Sequence, residues 1–294
     1  MPISFLHRLS PEAEHRWLEA LKAALPEDDL VVGAASDAEI AVVANPPPGA
    51  LAAMPALRLV QSAWAGVDGL LADPSFPKNA RLARLVDPGL ASQMAQAVAA
   101  HVLALHRQAP AYRDQQAIQL WRQLPQPSAA ERPIGFLGYG ELARASANLL
   151  ERIGFRVHAW SRSHGELDAV LDCDIVVNLL PLTAATKGFL AAPLFSRMKP
   201  GAALVNLARG AHLVEADLLA ALDDGQLSHA VLDVFETEPL PAGHPFWSHP
   251  KVTVMPHVAA ITDPASASIR IAANIRRFRA GEPLEGAVSL DAGY

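Results

Sequence analysis

Arg209, Glu238 and His257 are the residues of this chain best suited to chemistry, and each follows an apolar, strand-like run, at 202–207, 229–234 and 251–255. Together they suit the reduction of a 2-oxo acid. Arg209 presents a planar fork of donors that can hold a carboxylate and a ketone oxygen. His257 is the natural general acid, giving a proton to the carbonyl oxygen as a hydride reaches the carbon. Glu238 can hydrogen-bond the imidazole and fix its tautomer. Singly, each has a plainer use: a structural salt bridge for Arg209, a loop carboxylate for Glu238, a satisfied core histidine for His257. Their common placement at strand ends favours a site, because each is costly to desolvate without partners.

The elements that must position these residues follow from an alternation of apolar runs with helical spacers. Candidate strands at Ile134–Leu137, 156–160, 174–180, 202–207, 229–234 and 251–255 predict a six-stranded, doubly wound parallel sheet in the commonest nucleotide-binding arrangement. The spacer 214–224 predicts a helix, with leucines at 218, 219 and 222 and Gly225 placed to end it. In such a sheet the carboxyl ends of the strands converge on one crevice. The first strand runs into Gly138-Tyr139-Gly140-Glu141-Leu142-Ala143, a glycine turn followed by a helix with Leu142, Ala145, Leu149 and Ile153 on one face. Gly138 and Gly140 permit backbone to approach a ligand, and the helix start offers unpaired N–H groups to a pyrophosphate. Ala143 takes the third position of the glycine fingerprint, which governs helix–strand packing. Alone, this stretch reads equally well as a structural strand-to-helix turn.

Residues 1–97 keep the α/β rhythm, with strand-like runs at 3–6, Ile40–Ala44 and 57–61 and a helix near 12–25. Small residues and a glycine, Ala63-Trp64-Ala65-Gly66, follow the last run directly, where a parallel strand ends and ligands bind. An ordinary turn explains them equally. The alanine-rich segment 91–107 predicts a long helix with Met94, Val98, Val102 and Leu105 as its core stripe. His101 and His106 on that helix have no partners at metal-ligand spacing and are read as surface or satisfied polar groups. Segment 112–131 is polar, carries Trp121 and reads as a loop or arm whose aromatic marks a subunit contact. The tail 265–279 predicts a helix whose four arginines form a solvated face.

Composition bounds the partners. The chain has 294 residues, enough for two domains, and a net charge of -6, which argues against a nucleic-acid surface. No stretch has the roughly 20 apolar residues that span a bilayer, and no signal-peptide pattern opens the chain, so a cytoplasmic protein without a membrane partner is expected. Cys173, the single cysteine, excludes an intrachain disulfide and reads as a buried thiol; no metal site is expected.

Three ordered motifs then resemble the D-isomer-specific 2-hydroxyacid dehydrogenase family. Asn206-Leu207-Ala208-Arg209-Gly210 is similar to its arginine motif, 232–240 to its glutamate motif, and Pro256-His257-Val258-Ala259-Ala260 to its histidine motif. Trp64-Ala65-Gly66-Val67-Asp68 is similar to its substrate loop, and 239–250 with 256–265 resemble its glyoxylate/hydroxypyruvate reductase branch. The resemblance implies that Arg209 binds substrate and acts in catalysis, that His257 is the acid/base and that Glu238 is its partner. It implies that Trp64 and the amides of Ala65 and Gly66 face the substrate. Cofactor contacts are implied for Gly138, Tyr139, Gly140, Glu141, Leu142, Leu180, Pro181, Leu207, Ala208, His257 and Ala259, with Asp233 on the nicotinamide carboxamide. It further implies two Rossmann-like α/β domains, the nucleotide domain 98–263 inserted into a flavodoxin-like substrate domain of 1–97 and 264–294, and a homodimer. Reductase activity on glyoxylate and hydroxypyruvate is expected; other 2-hydroxy acids, or a non-enzymatic dinucleotide sensor, remain open.

Cofactor choice follows from charge. An NAD enzyme places an acidic residue after the second strand, whereas this chain has Ser161-Arg162-Ser163, which can hold a 2′-phosphate. NADPH is expected over NADH, with NADH still usable. Glu141 is the discordant residue, a carboxylate beside the pyrophosphate turn.

Overall fold

A computed structural model describes residues 2–290. Met1 and residues 291–294, part of the first domain as read from sequence, lie outside the described residues. The chain divides into two compact units, one running to Leu90 and resuming at Thr262, the other Ala91–Ile261. The division falls three residues into one helix, Pro88–His106, rather than at 97/98.

The first unit has a parallel sheet of β1 (Pro2–His7), β2 (Asp29–Val32), β3 (Ile40–Ala44), β4 (Leu59–Ser62) and β5 (Arg81–Ala83), in the order β2-β1-β3-β4-β5. The short strands β2 and β5 escaped the sequence reading: β2 is only partly buried and β5 has three residues, so neither shows a long apolar run. Helix α1 (Pro11–Ala24) is capped by Ser10, whose hydroxyl accepts the amide of Ala13. Its Trp17 and Leu21 pack with Ile3, Phe5 and Val42 and with Ile271 and Ile275 of a returning helix, Pro264–Arg279. Alternate residues of the same strands, Leu6, Ala41, Val43 and Val60, face a second core on the opposite side. Two arginines of the returning helix are not merely solvated: Arg276 donates to the Ala24 carbonyl and Arg279 pairs with Asp28. A short helix α2 (Asp68–Leu71) follows the turn after β4.

In the second unit, α3 (Pro88–His106) and α4 (Ala109–Ala117) precede the sheet. Segment 112–131 is therefore partly helical, though Ile118, Leu120 and Trp121 beyond α4 are exposed. Six parallel strands follow: β6 (Ile134–Leu137), β7 (Val157–Trp160), β8 (Ile175–Asn178), β9 (Ala202–Asn206), β10 (Leu227–Leu232) and β11 (Val252–Val254). Their order is β11-β10-β9-β8-β6-β7, with one strand rather than two beyond β6, so the topological switch point lies between β6 and β8. Helices α5 (Glu141–Ile153), α6 (Leu167–Leu171), α7 (Ala192–Phe195) and α8 (Glu215–Asp223) cover both faces: α3 and α5 pack on Phe136, Ile175 and Val205, and α6 to α8 on Val176, Leu204 and Leu232. The buried stripe of α5 is Ala143, Ala147 and Leu150, one residue past the expected one, and Ile153 is exposed. Pro264–Arg279, here α9, starts at Asp263, whose carboxylate accepts the amide of Ser266. Among the described residues no helix is long and apolar enough to cross a membrane.

Candidate active site

The two glycines of the loop after β6 differ in what the chain demands of them. Gly138 has φ 95° and any Cβ there would sit 2.7 Å from the Leu179 carbonyl oxygen, so the protein itself demands glycine. A Cβ on Gly140 would meet nothing within 4 Å. No neighbour in the chain excludes a side chain at Gly140, which instead leaves open space at the start of α5. Gly140 caps α5 without a side-chain bond, so the first amides of the helix face outward as a pyrophosphate requires. Ala143, buried against Phe136, supplies the close helix–strand packing. Glu141 is exposed in the first turn, where the helix dipole favours a carboxylate and solvent screens it. Leu142 and Tyr139 are half-buried against the same core as Ala143.

The next loop lies beside this one because β6 and β7 pair in register, Leu137 with Trp160. Ser161 and His164 exchange backbone hydrogen bonds of 2.8 and 3.1 Å, closing a turn that carries Arg162 and Ser163 on the exposed side.

After β8 and β9 a buried polar network sets the backbone. Asn178 donates to Asn206 Oδ1 at 3.0 Å and lies 3.1 Å from His212 Nδ1, while His212 Nε2 is 3.3 Å from the Pro181 carbonyl. Asn178 Oδ1 accepts the Leu180 amide, and Asn206 binds both the Ala208 amide and the Arg209 carbonyl. All three side chains are fully buried, and burial without such pairing would be costly. They shape the segments holding Leu180, Pro181, Leu207, Ala208 and Arg209, though of the three only Asn206 belongs to a motif legible in the sequence. A His two residues beyond the Arg-Gly pair, near two strand-end asparagines, was the available signal. Arg209 is half-buried and donates through Nη1 to the Ala208 carbonyl at 2.7 Å. Gly210 lies so close to the next loop that a Cβ would be 1.8 Å from the Phe235 carbonyl carbon, which ties the arginine segment to the one carrying Glu238.

Glu238 reaches both ways. Its Oε1 accepts the Phe235 amide at 2.9 Å, and its Oε2 lies 2.7 Å from His257 Nδ1. Both side chains are partly solvent-exposed, so the pair orients more than it stabilises. His257 has a left-handed backbone, φ 54°, a conformation that costs a non-glycine residue about 1–2 kcal/mol. Asp233 holds it there: its carbonyl accepts the His257 amide at 2.9 Å, and its two carboxylate oxygens accept the amides of Val258 and Ala259 at 2.8 and 2.9 Å. Asp233, expected to contact a nicotinamide carboxamide, is thus buried with both oxygens engaged by the histidine turn. Burial lowers the pKa of His101 on α3, an effect that the Asp233 charge opposes. His106 is buried with an unpartnered Nδ1, and burial likewise lowers its pKa. Cys173 is a buried thiol whose pKa burial raises to about 12. Among the described residues no cluster of His, Cys, Asp or Glu could hold a metal.

In the first unit, Trp64 and Gly66 line a cavity of about 300 Å³ at the carboxyl ends of the strands, together with Arg8, Asn45, Ser62 and Asp73. The Trp64 amide donates to Ser62 Oγ at 3.0 Å and its ring meets Trp17 edge-on, which fixes the turn leading to Ala65.

Residues 99–259 match the model of the NAD binding domain of D-isomer specific 2-hydroxyacid dehydrogenases. The chain is 42% identical, over all of both chains, to a glyoxylate/hydroxypyruvate reductase A of Serratia proteamaculans (strain 568). It superposes with a TM-score of 0.92 on a D-isomer specific 2-hydroxyacid dehydrogenase of Xanthobacter autotrophicus Py2 in complex with NADPH and MES, at 37% identity over 100% of this chain and 99% of that one. An NADPH-dependent glyoxylate/hydroxypyruvate reductase of Sinorhizobium meliloti, in complex with NADP and sulfate, gives the same TM-score at 35% identity and the same coverage. The glycine turn, the arginine segment and the paired Glu238 and His257 all fall within the matched residues, and the chain belongs to the D-isomer specific 2-hydroxyacid dehydrogenase family.

Proposed function

We propose that the protein is an NADPH-preferring reductase of small 2-oxo acids, converting glyoxylate to glycolate and hydroxypyruvate to D-glycerate. The observation that carries this reading is the 2.7 Å contact between Glu238 and His257 Nδ1. With Nδ1 turned to the carboxylate, Nε2 is the atom left to give a proton to a carbonyl oxygen. NADPH, when bound, supplies the hydride that adds to C2 of the oxo acid. His257 gives its proton to the oxygen as that charge develops and regains one from solvent, to which its side chain is about half exposed. Arg209 holds the substrate carboxylate and ketone oxygen, its backbone fixed by Asn206 and by the close approach of Gly210 to Phe235. We also assign a substrate contact to the amides of Ala65 and Gly66, beside Trp64. The Ala91–Ile261 unit is the dinucleotide domain and the other the substrate domain.

The preference for NADPH rests on Ser161, Arg162 and Ser163, which place an arginine where a ribose-binding carboxylate would exclude phosphate. The named relatives and the complexes with NADPH and NADP support both cofactor and substrate. We further assign the protein to the cytoplasm and, through the arm carrying Trp121, to a homodimer. Steady-state oxidation of NADPH and NADH with a panel of 2-oxo acids tests the reading. Glyoxylate and hydroxypyruvate are expected to lead the panel with NADPH as the better donor; a larger 2-oxo acid leading it would move the assignment to another branch of the family.

A further inference from the structure

Two residues outside every motif considered so far sit at the edge of the dinucleotide site. The Tyr139 ring, between the two glycines, stacks on the imidazole of His164 with centroids 4.4 Å apart and planes 16° from parallel. The Arg144 guanidinium, one turn into α5, lies 5.4 Å from the centroid of the same ring. His164 is not placed there by chance of a loose loop. Its turn is closed by the reciprocal bonds with Ser161, and the following Gly165 has φ 68° with any Cβ 2.0 Å from the Ala159 carbonyl oxygen. The turn therefore needs glycine at that point and delivers the imidazole to the tyrosine ring.

We infer that Arg144 and His164, gathered on the ring of Tyr139, join Arg162 in recognising the 2′-phosphate of the dinucleotide. This rests on the NADPH reading above. The 161–164 turn offers an arginine, an imidazole and two hydroxyls but no carboxylate, and Arg144 adds a second guanidinium from the neighbouring helix. A ribose hydroxyl calls for one acceptor, whereas a phosphate dianion calls for several donors and positive charge. Aromatic stacking holds the imidazole and the guanidinium at that site without neutralising either, as a carboxylate partner would. Glu141 and Glu166 are the nearby opposing charges in sequence, and both are exposed to screening solvent. Discrimination is thereby shared, so removal of Arg162 alone leaves part of it.

The test is calorimetric titration of the full-length protein and of Arg144→Ala, His164→Ala and Tyr139→Ala with NADPH, NADH, 2′,5′-ADP and 5′-AMP. Arg144→Ala and His164→Ala are each expected to weaken NADPH and 2′,5′-ADP about tenfold, with NADH and 5′-AMP held within about twofold. Tyr139→Ala is expected to combine the two losses. Retained NADH binding reports that Arg144→Ala and His164→Ala are folded, and the urea-unfolding midpoint does so for Tyr139→Ala. Equal losses for ligands with and without the phosphate would make the ring an adenosine wall and overturn the inference, as would unchanged binding of all four. A wild-type protein that binds NADH as tightly as NADPH would overturn the cofactor reading itself; a wild type that prefers NADPH, with variants of unchanged ratio, would overturn this inference alone.

Discussion

His257 Nδ1 lies 2.7 Å from one oxygen of Glu238, whose other oxygen is held at 2.9 Å by the amide of Phe235. The carboxylate is thus fixed to backbone at one side and aims the imidazole with the other. Glu238→Gln keeps the shape but loses the charge. It is expected to lower kcat by about ten- to hundredfold, while NADPH affinity stays unchanged. Steady-state kinetics beside a fluorescence titration separates the two; a loss confined to NADPH binding would place Glu238 in the cofactor site instead.

Glu141 combines two opposing effects. In the first turn of α5 its charge meets the positive helix end, and it would repel a pyrophosphate bound at that end. Glu141→Gln is expected to destabilise the free protein by about 0.3–1 kcal/mol in urea unfolding yet tighten NADPH binding. Weaker NADPH binding in this variant would mean that Glu141 contacts the dinucleotide favourably.

Much of the architecture was legible because buried parallel strands read as continuous apolar runs. β6, β8 and β9 are buried along their whole length, and the leucines of α8 marked the spacer between β9 and β10. What escaped had little periodicity to show: β2 and β5 are short, and α4 is polar along most of its length. The site divides the same way. Arg209, Glu238 and His257 announce themselves by residue type, whereas Asn178, Asn206 and His212 are joined to one another by contacts that span 28 and 34 residues. Asp233 carries a contact that its motif does not spell out, since its carboxylate holds the turn of His257.

Acid stability should report a buried histidine far from the chemistry. His229, packed on β10 against Thr253 at 2.9 Å, has its pKa lowered by burial from 6.5 to about 4. The unfolded chain binds a proton there first, so the stability this neutral imidazole contributes is full above pH 6.5 and is lost as pH falls toward about 4. The loss is at most about 3 kcal/mol. His229→Gln is expected to flatten that part of the curve in urea unfolding between these pH values; an identical acid slope in the variant would count against it.

Trp121 is 97% exposed, beside exposed Ile118 and Leu120. An apolar group this prominent is expected at a subunit contact. Sedimentation should find a dimer in the wild type and a weakened one in Trp121→Asp. A wild type that stays monomeric at all concentrations would remove the arm from any role in assembly.

In the proposed reaction, hydride transfer from NADPH to a 2-oxo acid depends on a proton from His257. Single-turnover consumption of NADPH on mixing with glyoxylate or hydroxypyruvate, with NADPH affinity measured in parallel, tests it most directly. The wild type is expected to consume the cofactor, and His257→Ala to bind it as well but transfer hydride about 10²- to 10⁴-fold more slowly. A His257→Ala protein that reacts at the wild-type rate would remove His257 as the proton donor, and a wild type that binds NADPH and never consumes it would remove the reductase activity itself.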